Sequence, residues 1–363
     1  MQSIQLIGDL IRIALESPGS RGVDEIRPAL ARLSTKDFAW ILQTCQLHRV
    51  TPLVGCGIAR HGLEAAVPPV ILSEFSAAHR RTRLANVAFM HTLARVLRAL
   101  DARGVTPVIW KGAVLADTFY PDPGTRAMGD VDLAVAVEQM PATTEAFGSL
   151  GFTPQENLSQ EDAVYFAHPS GLLFDVHRRV RMFEGHDPSL LTIDVPPRHM
   201  DVPSIRVLEP NAMFALLIHH LHGHLHDVGY LLLWLLDLAF VLNNWGNRLD
   251  TQRITELLPE PEHRLQLSRA MQFLATEFGV DVPDALRRFT TYSGTLTLSE
   301  VLRNRRLAQW RLPSLRGWAR LSACRLGLWP RGARPYPHWD DLVRWPGDKF
   351  HERSLLKRAR RES

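Results

Sequence analysis

The chain concentrates its chemistry-bearing residues between Val105 and Val135. Asp130 and Asp132 flank Val131 at the head of an apolar run, Leu133-Ala134-Val135. On a strand, residues i and i+2 point to one face. The two carboxylates are therefore expected to project side by side, with Val131 turned into the core. Like charges that close repel and raise each other's pKa. A divalent cation relieves the repulsion, and Mg²⁺ is typically held by one or two carboxylates together with substrate phosphates. The plainer pattern is a loop-end Asp and an exposed strand Asp with no ligand. Lys111-Gly112 upstream, and Arg126 in the intervening loop, favour the metal reading.

The elements that must position these residues are legible around them. Val108-Ile109-Trp110 reads as a first strand ending in Lys111-Gly112. Ala113 to Phe119 is compatible with a helix, and Tyr120 to Gly129 is a loop rich in Pro and Gly. Charged residues thus fall where strands meet loops, which is where sites are usually built. Further on, Ala163 to His168 and Gly171 to Arg179 read as an antiparallel pair joined at Pro169-Ser170-Gly171. In the second of these, Leu173, Asp175 and His177 share one face. Phe174, Val176 and Arg178 share the other. An Asp inside a strand is disfavoured by propensity, so something should hold it. Metal or general-base duty is one explanation, and a salt bridge with Arg178 or Arg179 is the other.

The string K-G-x-x-L-x(4)-Y-P-x-P-G-x-R-x-x-x-D-x-D-L resembles a nucleotidyltransferase family of the polymerase-beta-like superfamily. These proteins are similar in fold to aminoglycoside nucleotidyltransferases. The matching residues are Lys111, Gly112, Leu115, Tyr120, Pro121, Pro123, Gly124, Arg126, Asp130, Asp132 and Leu133. The likeness extends more weakly from about Asp37 to Asp237. It implies an α+β fold, with a small mixed-sheet nucleotidyltransferase core between N-terminal and C-terminal helical regions. It also implies a third acid on the strand beside D-x-D, in a motif resembling D-x-H, which falls on Asp175. The wider superfamily has Gly-Ser or Gly-Gly after its first strand, the Ser touching a phosphate. Lys111-Gly112 stands here instead.

The chemistry implied is Mg²⁺-dependent (or Mn²⁺-dependent) transfer of a nucleotidyl group from a nucleoside triphosphate to an acceptor. The acceptor would offer a hydroxyl or phosphate on a small molecule, sugar or peptide-derived substrate. Such transfer needs charge neutralisation and in-line positioning more than covalent help. Asp130, Asp132 and Asp175 are the expected metal ligands, with Asp175 also placed to take the acceptor's proton. Lys111 and Arg126 are expected to neutralise phosphates, and Gly112 to let backbone approach them at a helix start. A simple helix-start glycine explains Gly112 equally well. The alternative function is a non-catalytic nucleotide- or anion-binding sensor or scaffold on the same fold.

A chain of 363 residues, 45% hydrophobic and 22% charged, can bury a sizeable core. Cys45, Cys56 and Cys324 form neither a metal-type pair nor a disulfide framework, which suits a reducing cytoplasm. The first seventeen residues read as a short amphipathic helix, not a signal peptide. The apolar run Tyr230 to Leu242 is too short to span a bilayer.

Periodicity and composition divide the chain into five stretches. Residues 1–104 form an N-terminal helical region, with helices at Ser3 to Leu15, Thr35 to Leu47 and Pro69 to Leu100. Thr35 is the expected cap of the second helix. Leu84, Val87, Ala88, His91, Leu93, Ala94, Leu97 and Leu100 form the expected apolar face of the third, with Gly104 as its stop. His79, Arg80, Arg81 and Arg83 on that helix suit a solvated basic face or a phosphate contact. Residues 105–181 form the core and 182–208 a proline-rich connector. Residues 209–301 form a C-terminal helical domain carrying His219, His220, His222, His224 and His226. The His222/His226 spacing suits a metal on a helix, but no Glu falls between them as in H-E-x-x-H. Residues 302–363 form a basic, Trp-rich region with sixteen Lys and Arg against five Asp and Glu. That balance suits an anionic membrane surface or nucleic acid as a partner.

Overall fold

The computed structural model describes residues 2–15, 22–155, 162–225, 229–291 and 296–310. The chain opens with helices α1 (Gln2–Leu15), α2 (Gly22–Ala31), α3 (Thr35–Leu47), α4 (Thr51–Arg60) and α5 (Pro69–Asp101). Ser34 caps α3, because Thr35 is already helical. Its side chain accepts from the Asp37 amide and Asp37 accepts from the Ser34 amide in return. Gly104 adopts a left-handed φ of 69° just past α5, as a helix stop requires.

The buried face of α5 differs from the one the apolar spacing suggested. Leu84 and Val87 are 74% and 49% exposed. Leu93, Ala94 and Leu100 are buried as the spacing suggested, but Asn86, Phe89 and Met90 stand in the buried face where Leu84 and Val87 do not. The reason is a polar contact that a hydrophobic pattern does not register. Asn86 Nδ2 donates to the carbonyls of Pro123 and Arg126, each at 2.6 Å. The loop after Tyr120 thereby claims that side of the helix. His79 and Arg83 reinforce it by pairing with Asp122 at 2.9 and 2.6 Å, so these basic residues tether the loop.

A seven-stranded mixed sheet follows, in the order β3-β4-β5-β2-β1-β7-β6. β1 (Val108–Trp110) leads into α6 (Gly112–Val114), which widens into a π turn over Leu115–Phe119. β2 (Val131–Ala134) returns antiparallel to β1. After α7 (Met140–Ser149), β3 (Thr153–Pro154), β4 (Ala163–Ala167) and β5 (Leu173–His177) form an antiparallel run whose last member lies parallel to β2. Val131, Leu133, Phe174 and Val176 point to the core face and are fully buried. There Phe147 of α7 meets Phe174 and Phe166 at ring distances of 5.3 and 4.5 Å. Alternation leaves Trp110, Asp132 and Asp175 on the opposite face.

The stretch 182–208 is not a structureless connector. It carries β6 (Thr192–Val195) and β7 (Ile205–Leu208), and β7 pairs parallel to β1. Its prolines fall outside the strands, and each strand is too short to show a period. Helices α8 (Pro210–Gly223), α9 (Leu232–Trp245), α10 (Thr251–Leu257), α11 (Pro261–Phe278) and α12 (Leu298–Trp310) complete the described chain. One continuous apolar core joins these helices, the sheet and the N-terminal helices. Among the described residues no helix is long and apolar enough to cross a membrane. Most of the basic C-terminal region, residues 311–363, lies outside the described residues, as does His226.

Candidate active site

The site is assembled by strand register. Asp132 on β2 and Asp175 on β5 are direct partners across a parallel pair, and Trp110 on β1 is opposite Asp132 on the other side. Lys111 follows Trp110 at the end of its strand. Its backbone turns sharply, with φ 50° and ψ −124°, and its Nζ reaches Asp132 Oδ1 at 2.7 Å. His177 stands two residues beyond Asp175 and so projects to the same face. Its Nε2 is 3.2 Å from Asp175 Oδ2 and 3.7 Å from Asp132 Oδ1. The Trp110 and His177 rings lie 5.2 Å apart.

Opposing charges decide the electrostatics of this cluster. Burial pushes the Asp132 carboxyl up, but the Lys111 ammonium and the His177 imidazole outweigh it and hold Asp132 well below the usual carboxylate range. Burial likewise works against the charge on Lys111, and Asp132 more than offsets it. His177 is pushed up to about 9: burial lowers it, and bonding to Asp132 and Asp175 prevails. Asp130 goes the other way. Burial and the neighbouring Asp132 raise its carboxyl to about 7.

The ligand atoms of Asp132, Asp175 and His177 all lie within 4.8 Å of one another, a spacing that could hold a metal ion. The residues fit a divalent cation on two counts. Two carboxylates supply hard oxygen donors, with an imidazole that Mn²⁺ also accepts. Asp175 Oδ1 is buried with no hydrogen-bond partner, an expensive state for a carboxylate oxygen. The expected pairing of Asp130 with Asp132 is only half realised. Asp130 precedes β2, is half-buried, and stands outside this three-residue cluster. The partner of Asp132 is Asp175, and the ion-pair partner of Asp175 is His177.

The family model for "uncharacterised nucleotidyltransferase" matches residues 34–279, more than half of the chain. The chain belongs to this nucleotidyltransferase family. A search of curated proteins finds no match. Among solved structures, the solution structure of the antibiotic-resistance factor ANT(2″)-Ia is 14% identical, with a TM-score of 0.37, covering 48% of this chain and 90% of that one. ANT(2″)-Ia in complex with adenylyl-2″-tobramycin is 13% identical, with a TM-score of 0.37, covering 46% and 94%. An antigenic nucleotidyltransferase-like protein from Paracoccidioides brasiliensis is 15% identical, with a TM-score of 0.33, covering 54% and 93%.

In this nucleotidyltransferase Arg126, expected from sequence to neutralise phosphates, is paired with a buried carboxylate. Its Nε and Nη2 donate to the two oxygens of Asp237 on α9, both at 2.7 Å, and the pair is almost fully buried. The Tyr120 hydroxyl donates to the same carboxylate at 2.8 Å. Nη1 of Arg126 lies 3.0 Å from where a Cβ on Gly112 would sit. Glycine at 112 is therefore explained by the guanidinium packed against it. Nothing in the sequence near Arg126 announces Asp237, which is 111 residues away.

The histidines of α8 divide into two groups. His219 and His222 each meet His263 of α11 at ring distances of 4.7 Å. His220 meets His224 and Trp234. Burial, and the Lys111 charge after it, lower the His220 pKa well below the ordinary value. Among the described residues, the metal-type cluster comprises none of them.

Proposed function

We propose that this nucleotidyltransferase moves a nucleotidyl group from a nucleoside triphosphate to a hydroxyl or phosphate on a small acceptor, with Mg²⁺ or Mn²⁺ as cofactor. One observation carries this reading. Two buried acids on adjacent parallel strands face each other beside a lysine and a histidine, in a chain of this family. Asp132 and Asp175 would hold the cation, with Asp130 at the rim. A bound divalent cation supplies neutralisation of the nucleotide phosphates.

The protein's own groups account for the rest of the reaction. The acceptor oxygen attacks the α-phosphorus, the bond from that phosphorus to the α,β-bridging oxygen breaks, and pyrophosphate leaves with that oxygen. Lys111 offers its ammonium to the phosphates, with Asp132 keeping it charged. Asp175 Oδ2 faces His177, and its unpartnered Oδ1 is the atom left to take the acceptor's proton. The Trp110 ring lies beside His177 on the same face of the sheet.

The test supplies each α-labelled nucleoside triphosphate with a small-molecule extract and the full-length protein. Labelled product and pyrophosphate should form together, and excess chelator should abolish both. Undiminished turnover in chelator contradicts the cofactor assignment. Nucleotide binding without any labelled product, across extracts, favours the sensor reading instead.

A further inference from the structure

We propose that His219 and His222 of α8 and His263 of α11 form a second metal site, one for a divalent transition ion of the Zn²⁺ kind. None of the three belongs to the acid cluster. His219 and His222 are three residues apart, so both leave α8 on one side. His263 lies in the first turn of α11 and meets each of them at a ring distance of 4.7 Å. Two imidazoles bound to one tetrahedral ion at the usual Zn–N length stand about 5 Å apart, centre to centre. The two helices thus hold His263 at the separation from each partner that such an ion imposes.

A carboxylate orients the central ring. His263 Nδ1 is 3.2 Å from Glu260 Oε2. An ionised carboxylate only accepts, so Nδ1 carries the hydrogen and Nε2 keeps its lone pair. Metal-bound histidines usually give their second N–H to a group of this kind, which fixes the tautomer and makes the ligand nitrogen more basic. Glu260 is the N-cap residue of α11, so ligand and orienting group share one helix end. The helix is pinned one turn further on. Gln266 is buried there, and its side chain bonds the Tyr230 hydroxyl at 3.1 and 3.2 Å.

Ligand chemistry selects the ion. Three imidazoles suit Zn²⁺, Co²⁺, Ni²⁺ or Cu²⁺, whereas Mg²⁺ takes oxygen ligands. The two carboxylates of the acid cluster have the opposite preference. As the side chains stand, the rings pack on one another, one pair at 82°, and their nitrogens do not share the 4.8 Å spacing that unites the acid cluster. Closing on an ion requires rotation of the two α8 side chains. His219 is exposed and His222 half-buried, so both have room to turn. The ion would tie α8 to α11, with water in the fourth position.

The test adds Co²⁺ to full-length protein carrying no histidine tag, with excess Mg²⁺ present to occupy the acid cluster. Tetrahedral Co²⁺ on nitrogen ligands absorbs strongly in the visible, and octahedral Co²⁺ on oxygen ligands absorbs weakly. Wild type should develop the strong band with one equivalent of Co²⁺, and Zn²⁺ should displace the ion and remove the band. His219→Ala and His263→Ala should each weaken Co²⁺ binding by roughly 100-fold or more, since loss of an outer-shell partner alone typically costs 10–100-fold. His219 is exposed, so its removal leaves the core intact even where removal of His263 does not. Absence of the strong band in wild type overturns the proposal. So does a band of undiminished affinity in His219→Ala, which would place the ion elsewhere.

Discussion

Asp175→Asn should lower turnover by roughly 10²–10⁴-fold, the range expected for loss of a general base, while leaving the fold intact. The substitution is nearly isosteric and keeps β5 in register with β2 and β4. It removes the negative charge beside His177 and exchanges one of the two carboxylate oxygens for an NH₂ group that cannot accept a proton. Nucleotide affinity should fall less than turnover, because Asp132 and Lys111 remain. The comparison is made on one preparation, measuring turnover with labelled nucleotide and affinity by titration. Full turnover in a folded Asp175→Asn protein would remove this residue from the chemistry. A fall in thermal stability with unchanged turnover per folded molecule would reduce Asp175 to a partner of His177.

Asp237→Asn should destabilise the fold by about 3–5 kcal/mol, the usual cost of breaking a buried ion pair from one side. The pair is 7% and 1% exposed, so solvent offers little compensation. Asn retains an oxygen for the Tyr120 hydroxyl. It also turns an NH₂ toward Arg126 Nη2 and leaves the guanidinium charge unpaired. Replacing both partners with apolar residues, Arg126→Met with Asp237→Leu, should recover much of the loss, since no buried charge then remains. Chemical denaturation of the single and double variants measures both effects. A single variant as stable as wild type would mean that Arg126 finds other compensation. In that case its availability to phosphate would have to be reconsidered.

The core of the site was legible in the sequence for a definite reason. Strand alternation fixes faces, so Asp132 had to point away from Val131 and Leu133, and Asp175 had to share a face with His177. What alternation leaves open is which strands are neighbours. The register that sets Asp132 against Asp175 joins residues 43 positions apart, and only the assembled sheet shows it. The resemblance to a family supplied the third acid before that register was visible. At Arg126 it did not announce the pair with Asp237, because a motif records residue types and not their partners. The partner, Asp237, lies inside the apolar helix LLWLLDLAFVL, where a lone Asp reads as a buried capping or ion-pair residue or a cleft residue, and the sequence does not name its partner. Short strands failed for another reason. β6 and β7 span four residues each between prolines, and four residues cannot establish a period against a background of turns. On α5, Leu84 and Val87 fit a hydrophobic stripe, yet Asn86 decides which face meets the loop.

The central claim is that Asp132 and Asp175 together hold a divalent cation for a nucleotide. Electron paramagnetic resonance of Mn²⁺ tests it most directly, since the free-ion signal disappears on binding. Titrated with nucleoside triphosphate and full-length wild-type protein, the free Mn²⁺ signal should fall below that of nucleotide and Mn²⁺ alone. The variant carrying both Asp132→Asn and Asp175→Asn, shown to be folded, should leave it at the protein-free level. A folded double variant that removes the signal as strongly as wild type would contradict the assignment.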